Sequence, residues 1–591
     1  MSDELIVFAT LVGTLVLFIH GRWRYDIVAL LALLTLAVLR IVPPAEAFSG
    51  FGHPAVVTVA AVLVVGRGMF NSGVVDAIAG AMLRLSTRPT VQVSVMGAII
   101  TGCSAFMNNI GALAIFMPVA LQMSRKSERS PYYLLMPLAF GSLLGGMITL
   151  IGTPPNIIIA SYREQATGEA FGMFDFAPVG IGVAIAGGAF ISLIGWRFIP
   201  KRKGQASREE LFEIENYLTE VRVTEKPSVA GMPLGKIRVF SENNVLVLAI
   251  VRGENRLSTP SNLEVIRPGD VLIVEADSES LKALVDTDDF ELVADREVGL
   301  EMMEDEETRI IEAVITPSSI MQGRTARGLN LRWRSEVVLL AVARQGRRLR
   351  ARLGDIRLKA GDVLLLRGRE EALMGAAGEL GYLPLAERRL RLGKPRRIAL
   401  SVGLFGAAIL SAAFGVIPVQ IAFPVAAVAM VLVGLLSLRE VYESIEWPII
   451  VLLGAMIPVG HALESTGGAQ RIAEWIITLS DVVPPAAVLA VVLIATMFLS
   501  DLVNNAAAAV VMAPIALAVA AGLDASPDPF LMSVAIGASC AFLTPIGHQA
   551  NALVMGPGGY RFGDYWRLGL PLEIIVVVVA VPLLLWAWPM F

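Results

Sequence analysis

Cysteine and charged residues are both scarce in this chain of 591 residues. The two cysteines, Cys103 and Cys540, lie in apolar segments, which favours buried thiols over a disulfide framework or a metal site. Charged residues make up 17% and hydrophobic residues 55%, whereas soluble domains are about a quarter charged. The net charge of -4 indicates no nucleic-acid partner. A soluble enzyme, a disulfide scaffold and a disordered chain are therefore excluded.

The apolar residues are concentrated in two regions, residues 1–200 and 396–591, and the stretch between them is richly charged. A membrane-crossing helix needs about 20 mainly apolar residues. Each region supplies five such spans, which predicts a polytopic α-helical membrane protein in the lipid bilayer. The predicted spans lie near 5–19, 27–42, 55–69, 132–160, 177–198, 398–414, 421–436, 448–463, 530–555 and 568–588.

Each apolar region also contains one long stretch with a polar centre. Ser104 to Ala112 interrupts residues 91–123, and Ser500 to Ala506 interrupts residues 484–521. Unsatisfied polar groups in hydrocarbon cost several kcal/mol each. Both stretches therefore predict re-entrant helical hairpins, whose tips line a protein cavity or a water-filled one.

The two regions are predicted to be copies of one unit. Asn108-Asn109 recurs as Asn504-Asn505 at an offset of 396 residues, and in both copies a proline follows ten residues after the first asparagine. Five spans and one hairpin make an odd count, so the copies are predicted to be inverted repeats. The placement of Lys and Arg then predicts that the charged insert is cytoplasmic. The inner (plasma) membrane is the expected location of the protein.

Proline and glycine are expected to break one span of each copy, near residues 152–155 and 544–547. A broken helix frees backbone carbonyls that suit Na+, and it exposes helix N-termini that, with asparagine amides, suit an anion. The alternative is that the asparagines only cap the hairpin helices.

These motifs resemble the divalent anion/sodium symporters, which are dicarboxylate and sulfate carriers. The resemblance implies a small anionic substrate, Na+ as the coupling ion without an organic cofactor, and a homodimer. By analogy, the residues expected to bind the anion are Asn108, Asn109, Asn504, Asn505, Thr153 and His548. Those expected to line the two Na+ sites are Ser104, Asn109 and Gly152 for one, and Ser500, Asn505 and Gly547 for the other.

This chain departs from the family pattern at both tips. Asparagine replaces the first serine of the family tripeptide, and Ile110 and Ala506 replace its threonine. The loss of hydroxyls favours a compact oxyanion such as sulfate over a dicarboxylate. Asp501 has no acidic counterpart in the first copy, where Ala105 stands. It is predicted either to help couple a cation or to be an interfacial acid. Glu446 and Trp447 are typical of residues at a membrane interface.

Short Val, Ile and Leu runs separated by turns predict strands in the insert, near 245–253, 271–275, 337–343 and 363–366. Two tandem α+β modules are predicted, at 205–298 and 299–390, because Pro-Gly-Asp at 268–270 recurs as Ala-Gly-Asp at 360–362. They resemble paired TrkA-C (RCK C-terminal) domains, which implies a regulatory role and an unknown small ligand. The alternative is a folded spacer.

The sequence therefore predicts a sodium-coupled symporter of a small divalent anion that works by alternating access, and not an enzyme. A proton/sodium antiporter or an arsenite-type permease of the same superfamily is the alternative within transport. A membrane sensor is the alternative outside it.

Overall fold

The computed structural model describes residues 2–20, 23–73, 88–127, 129–200, 395–477 and 484–591, together with most of 218–292 and 309–385. Helices form both apolar regions. Those of the first region are α1 (Asp3–His20), α2 (Tyr25–Val38), α3 (Pro54–Ser72), α4 (Pro89–Ser104), α5 (Asn109–Lys126), α6 (Tyr132–Gly146), α7 (Pro154–Thr167) and α8 (Ala177–Leu193).

The second region repeats this order after the longer helix of the insert, α9 (Glu370–Leu380). Its helices are α10 (Pro395–Ala413), α11 (Val419–Leu432), α12 (Leu438–Ser444), α13 (Trp447–Ser465), α14 (Gly468–Ile477), α15 (Pro485–Leu502), α16 (Asn505–Gly522), α17 (Pro527–Ala538), α18 (Gln549–Met555) and α19 (Tyr565–Ala587). Proline stands at the first or second position of α3, α4, α7, α15 and α17, where its missing N–H has no helical partner to lose.

The helices are long and apolar enough for a multi-pass membrane protein. Among the described residues, six helices could cross a membrane by length and composition, namely α3, α10, α13, α15, α16 and a helix that includes α19. Shorter apolar helices accompany them. Many apolar side chains on the outer helices are exposed, including Val38 and Leu432, as expected where lipid is the solvent.

Contacts between the two regions come in matched pairs. Helix α2 packs on α13, and the corresponding helix α11 packs on α3. Similarly, α7 packs on α16 and α18 packs on α5, while α8 packs on α19. One contiguous apolar core spans both regions.

The two predicted hairpins are present, as α4 with α5 (the first hairpin) and α15 with α16 (the second hairpin). Two helices are broken, as predicted, but the gaps are longer than the sequence indicated. The first break covers residues 147–153, between α6 and α7, and the second covers 539–548, between α17 and α18. Polar side chains that bind the freed carbonyls, described below, hold these segments open.

The insert contains two five-stranded antiparallel sheets of the same strand order. The first sheet runs β3-β2-β4-β1-β5 and the second runs β8-β7-β9-β6-β10. The strands are β1 (Leu218–Val223), β2 (Leu246–Arg252), β3 (Asn255–Ser258), β4 (Val271–Glu275), β5 (Phe290–Leu292), β6 (Arg309–Ile315), β7 (Val338–Arg344), β8 (Arg347–Arg348), β9 (Val363–Gly368) and β10 (Tyr382–Pro384). All four predicted strands are therefore confirmed.

The Gly-Asp turn before β4 and before β9 has the same construction in both sheets. Gly269 and Gly361 adopt left-handed conformations, with φ of 82° and 81°, which glycine adopts without a steric penalty. Asp270 pairs with Arg252 at 2.8 Å, and Asp362 pairs with Arg344 at 2.7 Å. Each aspartate thereby ties the turn to the neighbouring strand.

Candidate functional site

The first asparagine of each tip caps the second arm of its hairpin. Oδ1 of Asn108 accepts a hydrogen bond from the Ile110 N–H at 3.2 Å, and Oδ1 of Asn504 accepts one from the Ala506 N–H at 2.9 Å. The capping interpretation is thus confirmed for these oxygens. It leaves the amide NH2 groups as donors, and that of Asn108 donates to Oε1 of Glu446 at 2.7 Å.

The second asparagine of each tip reaches the helix break of the other region. Nδ2 of Asn109 lies 3.4 Å from Nε2 of His548, and Nδ2 of Asn505 donates to Oγ1 of Thr153 at 3.5 Å. All four side chains are buried. Thr153 and His548 hold corresponding positions at the ends of the two breaks, so each second asparagine lies against the end of the opposite break, although only Asn505 donates a hydrogen bond there. We call these two contacts the crossed contacts.

His548 presents a donor at the first crossed contact. Its Nδ1 accepts a hydrogen bond from the Ala550 N–H at 3.0 Å, as the N-cap of α18. A neutral imidazole carries one proton, which must then be on Nε2, the atom that faces Asn109. His548 therefore offers an N–H group where a serine or threonine would offer a hydroxyl.

Helix N-termini point at the crossed contacts. Helices α5 and α16 begin at Asn109 and Asn505, and α7 begins directly after Thr153. Thr153 is extended, with φ of -149° and ψ of 146°, because the residue before a proline avoids the helical conformation. The N–H groups of a first helical turn have no helical partner, and the helix dipole is positive there. The arrangement suits an anion.

Two further asparagines pin the breaks open. Nδ2 of Asn156 donates to the carbonyls of Gly146 and Thr149, at 3.2 and 2.8 Å. Nδ2 of Asn551 donates in the same way to the carbonyls of Ala541 and Thr544, at 2.7 and 3.1 Å. These two clamps bind corresponding atoms in the two regions. The sequence repeat contains both asparagines, yet their spacing alone did not indicate this role.

The first predicted Na+ site is assembled from oxygen atoms. Oγ of Ser104 donates to Oδ1 of Asn109 at 2.6 Å. A Cβ atom on Gly146 would lie 2.8 Å from that Oδ1 and 3.3 Å from the carbonyl oxygen of Gly152. The structure thus places an amide oxygen and a carbonyl oxygen beside Gly146, and the Ser104 hydroxyl is hydrogen-bonded to the amide oxygen. Neutral oxygens near an unwound helix fit a small alkali cation.

The second predicted Na+ site is less closely gathered. A Cβ on Gly547 would lie 2.6 Å from the carbonyl oxygen of Ser500, so these two residues are in contact. The hydroxyl of Ser500 donates to the Ala538 carbonyl at 2.5 Å. Asn505 instead faces Thr153. Position 541 is alanine where the first region has Gly146, and its Cβ takes up space next to Gly547.

Asp501 has a second acid beside it. Its Oδ1 accepts from the Leu543 N–H at 2.9 Å, within the second break, and its side chain neighbours that of Glu573 on α19. Both acids are buried. Sequence reasoning missed Glu573. The available signal was a single acid inside a long apolar helix, where ionisable groups are costly and usually functional.

The hairpins, the paired breaks and the crossed contacts define a multi-pass membrane protein of the secondary-transporter class. The citrate transporter family (CitMHS) matches residues 15–537, and the chain belongs to this family. It is 33% identical to an uncharacterized transporter of Synechocystis sp., over 98% of this chain and 96% of the relative.

Two relatives with more specific names support the divalent anion/sodium symporter assignment. The chain is 23% identical to sodium/sulfate cotransporter 2 of Chlamydomonas reinhardtii, over 93% of this chain and 86% of the relative. It is 30% identical to solute carrier family 13 member 2 of Oryctolagus cuniculus, over 27% of each chain. The resemblance drawn from the hairpin motifs is therefore confirmed.

Proposed function

We propose that this transporter carries a small divalent anion, sulfate in preference to a dicarboxylate, by sodium-coupled symport. The crossed contacts carry the proposal. They bring amide, hydroxyl and imidazole groups from both regions together beside three helix N-termini. Such a set of neutral donors suits a compact oxyanion. The proposed anion-binding residues are Asn108, Asn109, Asn504, Asn505, Thr153 and His548.

Sodium is proposed to bind beside the anion on both sides. Ser104, Asn109 and Gly152 would hold one ion, and Ser500, Asn505 and Gly547 the other. Asp501 is proposed to favour a cation at the second break, since its carboxyl group lies directly on that segment. Bound cations would offset the charge of a divalent anion in a site of low dielectric.

Alternating access is proposed to arise from two inverted repeats. The matched pairs of helix contacts support this arrangement. The contact of Asn108 with Glu446 has no equivalent at the second tip, because the corresponding position, Gly52, has no side chain.

The insert is proposed to be cytoplasmic and regulatory, with TrkA-C-like modules at 205–298 and 299–390. The matching sheets support two modules of one type. The second module also lies against α18, a helix that begins at the proposed transport site. A Cβ on Gly361 would lie 2.8 Å from the carbonyl oxygen of Ala552, on the helix that His548 caps. A homodimer in the inner membrane, and a small ligand of the modules, complete the proposal.

Gly361→Ala should raise the maximal uptake rate about twofold or more, because it forces the second module off α18 and releases a restrained half-helix. Gly269→Ala is the matched control. It has the same left-handed turn, but nothing lies within 4 Å of the added methyl group. Both variants carry a similar backbone strain of roughly 1–2 kcal/mol, because alanine is disfavoured in a left-handed conformation. Equal uptake rates in proteoliposomes would contradict a regulatory contact at this turn.

Uptake into proteoliposomes tests the substrate and the coupling ion together. The purified full-length chain should accumulate radiolabelled sulfate when an inward Na+ gradient is imposed, and not when K+ replaces Na+. Succinate, citrate and arsenite, tested in parallel, distinguish a dicarboxylate carrier, a citrate carrier and an arsenite-type permease. Accumulation of sulfate that does not need Na+ would contradict sodium coupling. Uptake of another anion, but not of sulfate, would contradict sulfate as the substrate.

A further inference from the structure

Glu446 holds an unusual place for a carboxyl group beside a proposed anion site. It lies at the N-terminus of α13, half-buried, and its Oε1 accepts from the Asn108 amide at 2.7 Å. At this separation the Glu446 carboxyl group occupies an acceptor position of the Asn108 amide. The donor is an amide that the proposal assigns to the transported anion. A protein carboxylate and a transported anion would therefore compete for one group.

Two structural units meet at this point. Asn108 belongs to the first hairpin, whereas Glu446 begins α13, which packs on α2. Tyr25, at the start of α2, lies near Glu446 and hydrogen-bonds with Gln549, the first residue of α18. Tyr25 of α2 and Glu446 of α13 thus each contact a segment that carries one of the crossed contacts. Together with Asn108 and Gln549, they join the pair of helices α2 and α13 to the first hairpin and to the second break.

We propose that the contact between Glu446 and Asn108 is a latch that the transported anion displaces. This inference rests on the proposed anion site. A dianion bound at the tips repels an ionised Glu446 and takes over the amide of Asn108. The hairpin then loses its tie to α13 and is free to move relative to it. Without an anion, Glu446 fills the vacant acceptor position and stabilises this one conformation of the empty carrier.

The latch makes Glu446 a residue that sets anion affinity. Gln at this position keeps the acceptor oxygen and removes the charge, so the repulsion of a divalent anion disappears. Glu446→Gln should therefore bind sulfate with a dissociation constant lower by about tenfold or more. A residue that only stabilised the fold would give unchanged or weaker binding in this variant.

Glu440 supplies a matched control six residues earlier. Its Oε1 accepts from the amide of Asn71 at 2.8 Å, so it is a second pairing of glutamate with asparagine, on the short helix α12. Glu440 also completes the capping box of that helix, a role that glutamine fills as well. Glu440→Gln should leave the dissociation constant for sulfate within about twofold of the unaltered value.

The test is sulfate binding to the purified full-length protein in sodium buffer, measured by calorimetry for the unaltered chain and both variants. Tighter binding by Glu446→Gln alone would support the latch. Sulfate binding that this variant leaves unchanged or weakens would overturn the latch and leave the proposed function intact. Absence of sulfate binding by the unaltered chain would overturn both.

A second measurement does not depend on how the Glu446 variant folds. Cysteines at positions 25 and 549, placed in a Cys103→Ala and Cys540→Ala background, report whether α2 stays close to α18. Sulfate should slow oxidative cross-linking of this pair by about threefold or more, because latch release lets the units separate. An equal cross-linking rate with and without sulfate would overturn the latch.

Discussion

Asn505→Ala and Asn109→Ala should each reduce sodium-driven sulfate uptake by roughly 10- to 150-fold at low sulfate concentration. Each variant removes an amide from one crossed contact, and a hydrogen bond to a charged group contributes about 1.5–3 kcal/mol. Thr153 and His548 would then face an empty position in a buried site. Initial uptake rates in proteoliposomes, at sulfate concentrations below half-saturation, measure the effect.

Asn71→Ala is the control for these two variants. It removes an amide of the same size from α3, where Asn71 binds Glu440 and takes no part in the crossed contacts. It should retain most of the uptake. Normal uptake by either site variant, at equal expression and reconstitution, would refute the assignment of Asn109 and Asn505 to the anion site.

Asn551→Ala should destabilise the protein by about 2–6 kcal/mol and Asn156→Ala by about 1–3 kcal/mol, and both should stop transport. Asn551→Ala leaves the carbonyls of Ala541 and Thr544 without a donor, whereas Asn156→Ala leaves only that of Gly146, because the Thr149 carbonyl also accepts from the Gly152 N–H at 3.3 Å. An unsatisfied buried group costs about 1–3 kcal/mol, so the loss should be larger for Asn551→Ala. Thermal unfolding of the purified protein in detergent, followed together with uptake, measures both effects.

Ser533→Ala separates loss of a clamp from loss of any buried hydrogen bond. The Ser533 hydroxyl donates to the Phe530 carbonyl at 2.7 Å, within a single turn of α17. Its removal should lower the unfolding temperature little and leave uptake intact. If the clamp variants behaved like Ser533→Ala, the breaks would not depend on Asn156 and Asn551.

The tips and the breaks were predictable because polar residues within apolar spans are conspicuous. Asn108-Asn109 and Asn504-Asn505 occur at the same distance from a proline, and a buried amide needs a partner. The repeat then predicted two hairpins and two breaks, and the structure has both. The pairing of each tip with the opposite break was not predicted, because the resemblance to a known family grouped Asn109 with Gly152 and Asn505 with Gly547, each in the break of its own region.

Contacts between distant parts of the chain were not predictable. Glu446 lies 338 positions from Asn108, and its place before an apolar span is equally typical of a membrane interface. Gly361 belongs to a common type of turn, and nothing in the sequence links it to Ala552. The length of each break was also missed, because Asn156 and Asn551 bind carbonyls seven and ten residues earlier in the chain.

The most direct test of the account is a cryo-electron microscopy map of the full-length protein in lipid nanodiscs with sodium sulfate. We expect density for one oxyanion between the two asparagine pairs, in contact with Asn109 and Asn505 and beside the N-terminus of α7. A map in which the oxyanion lies elsewhere, or in which the two pairs are far apart, would contradict the shared site.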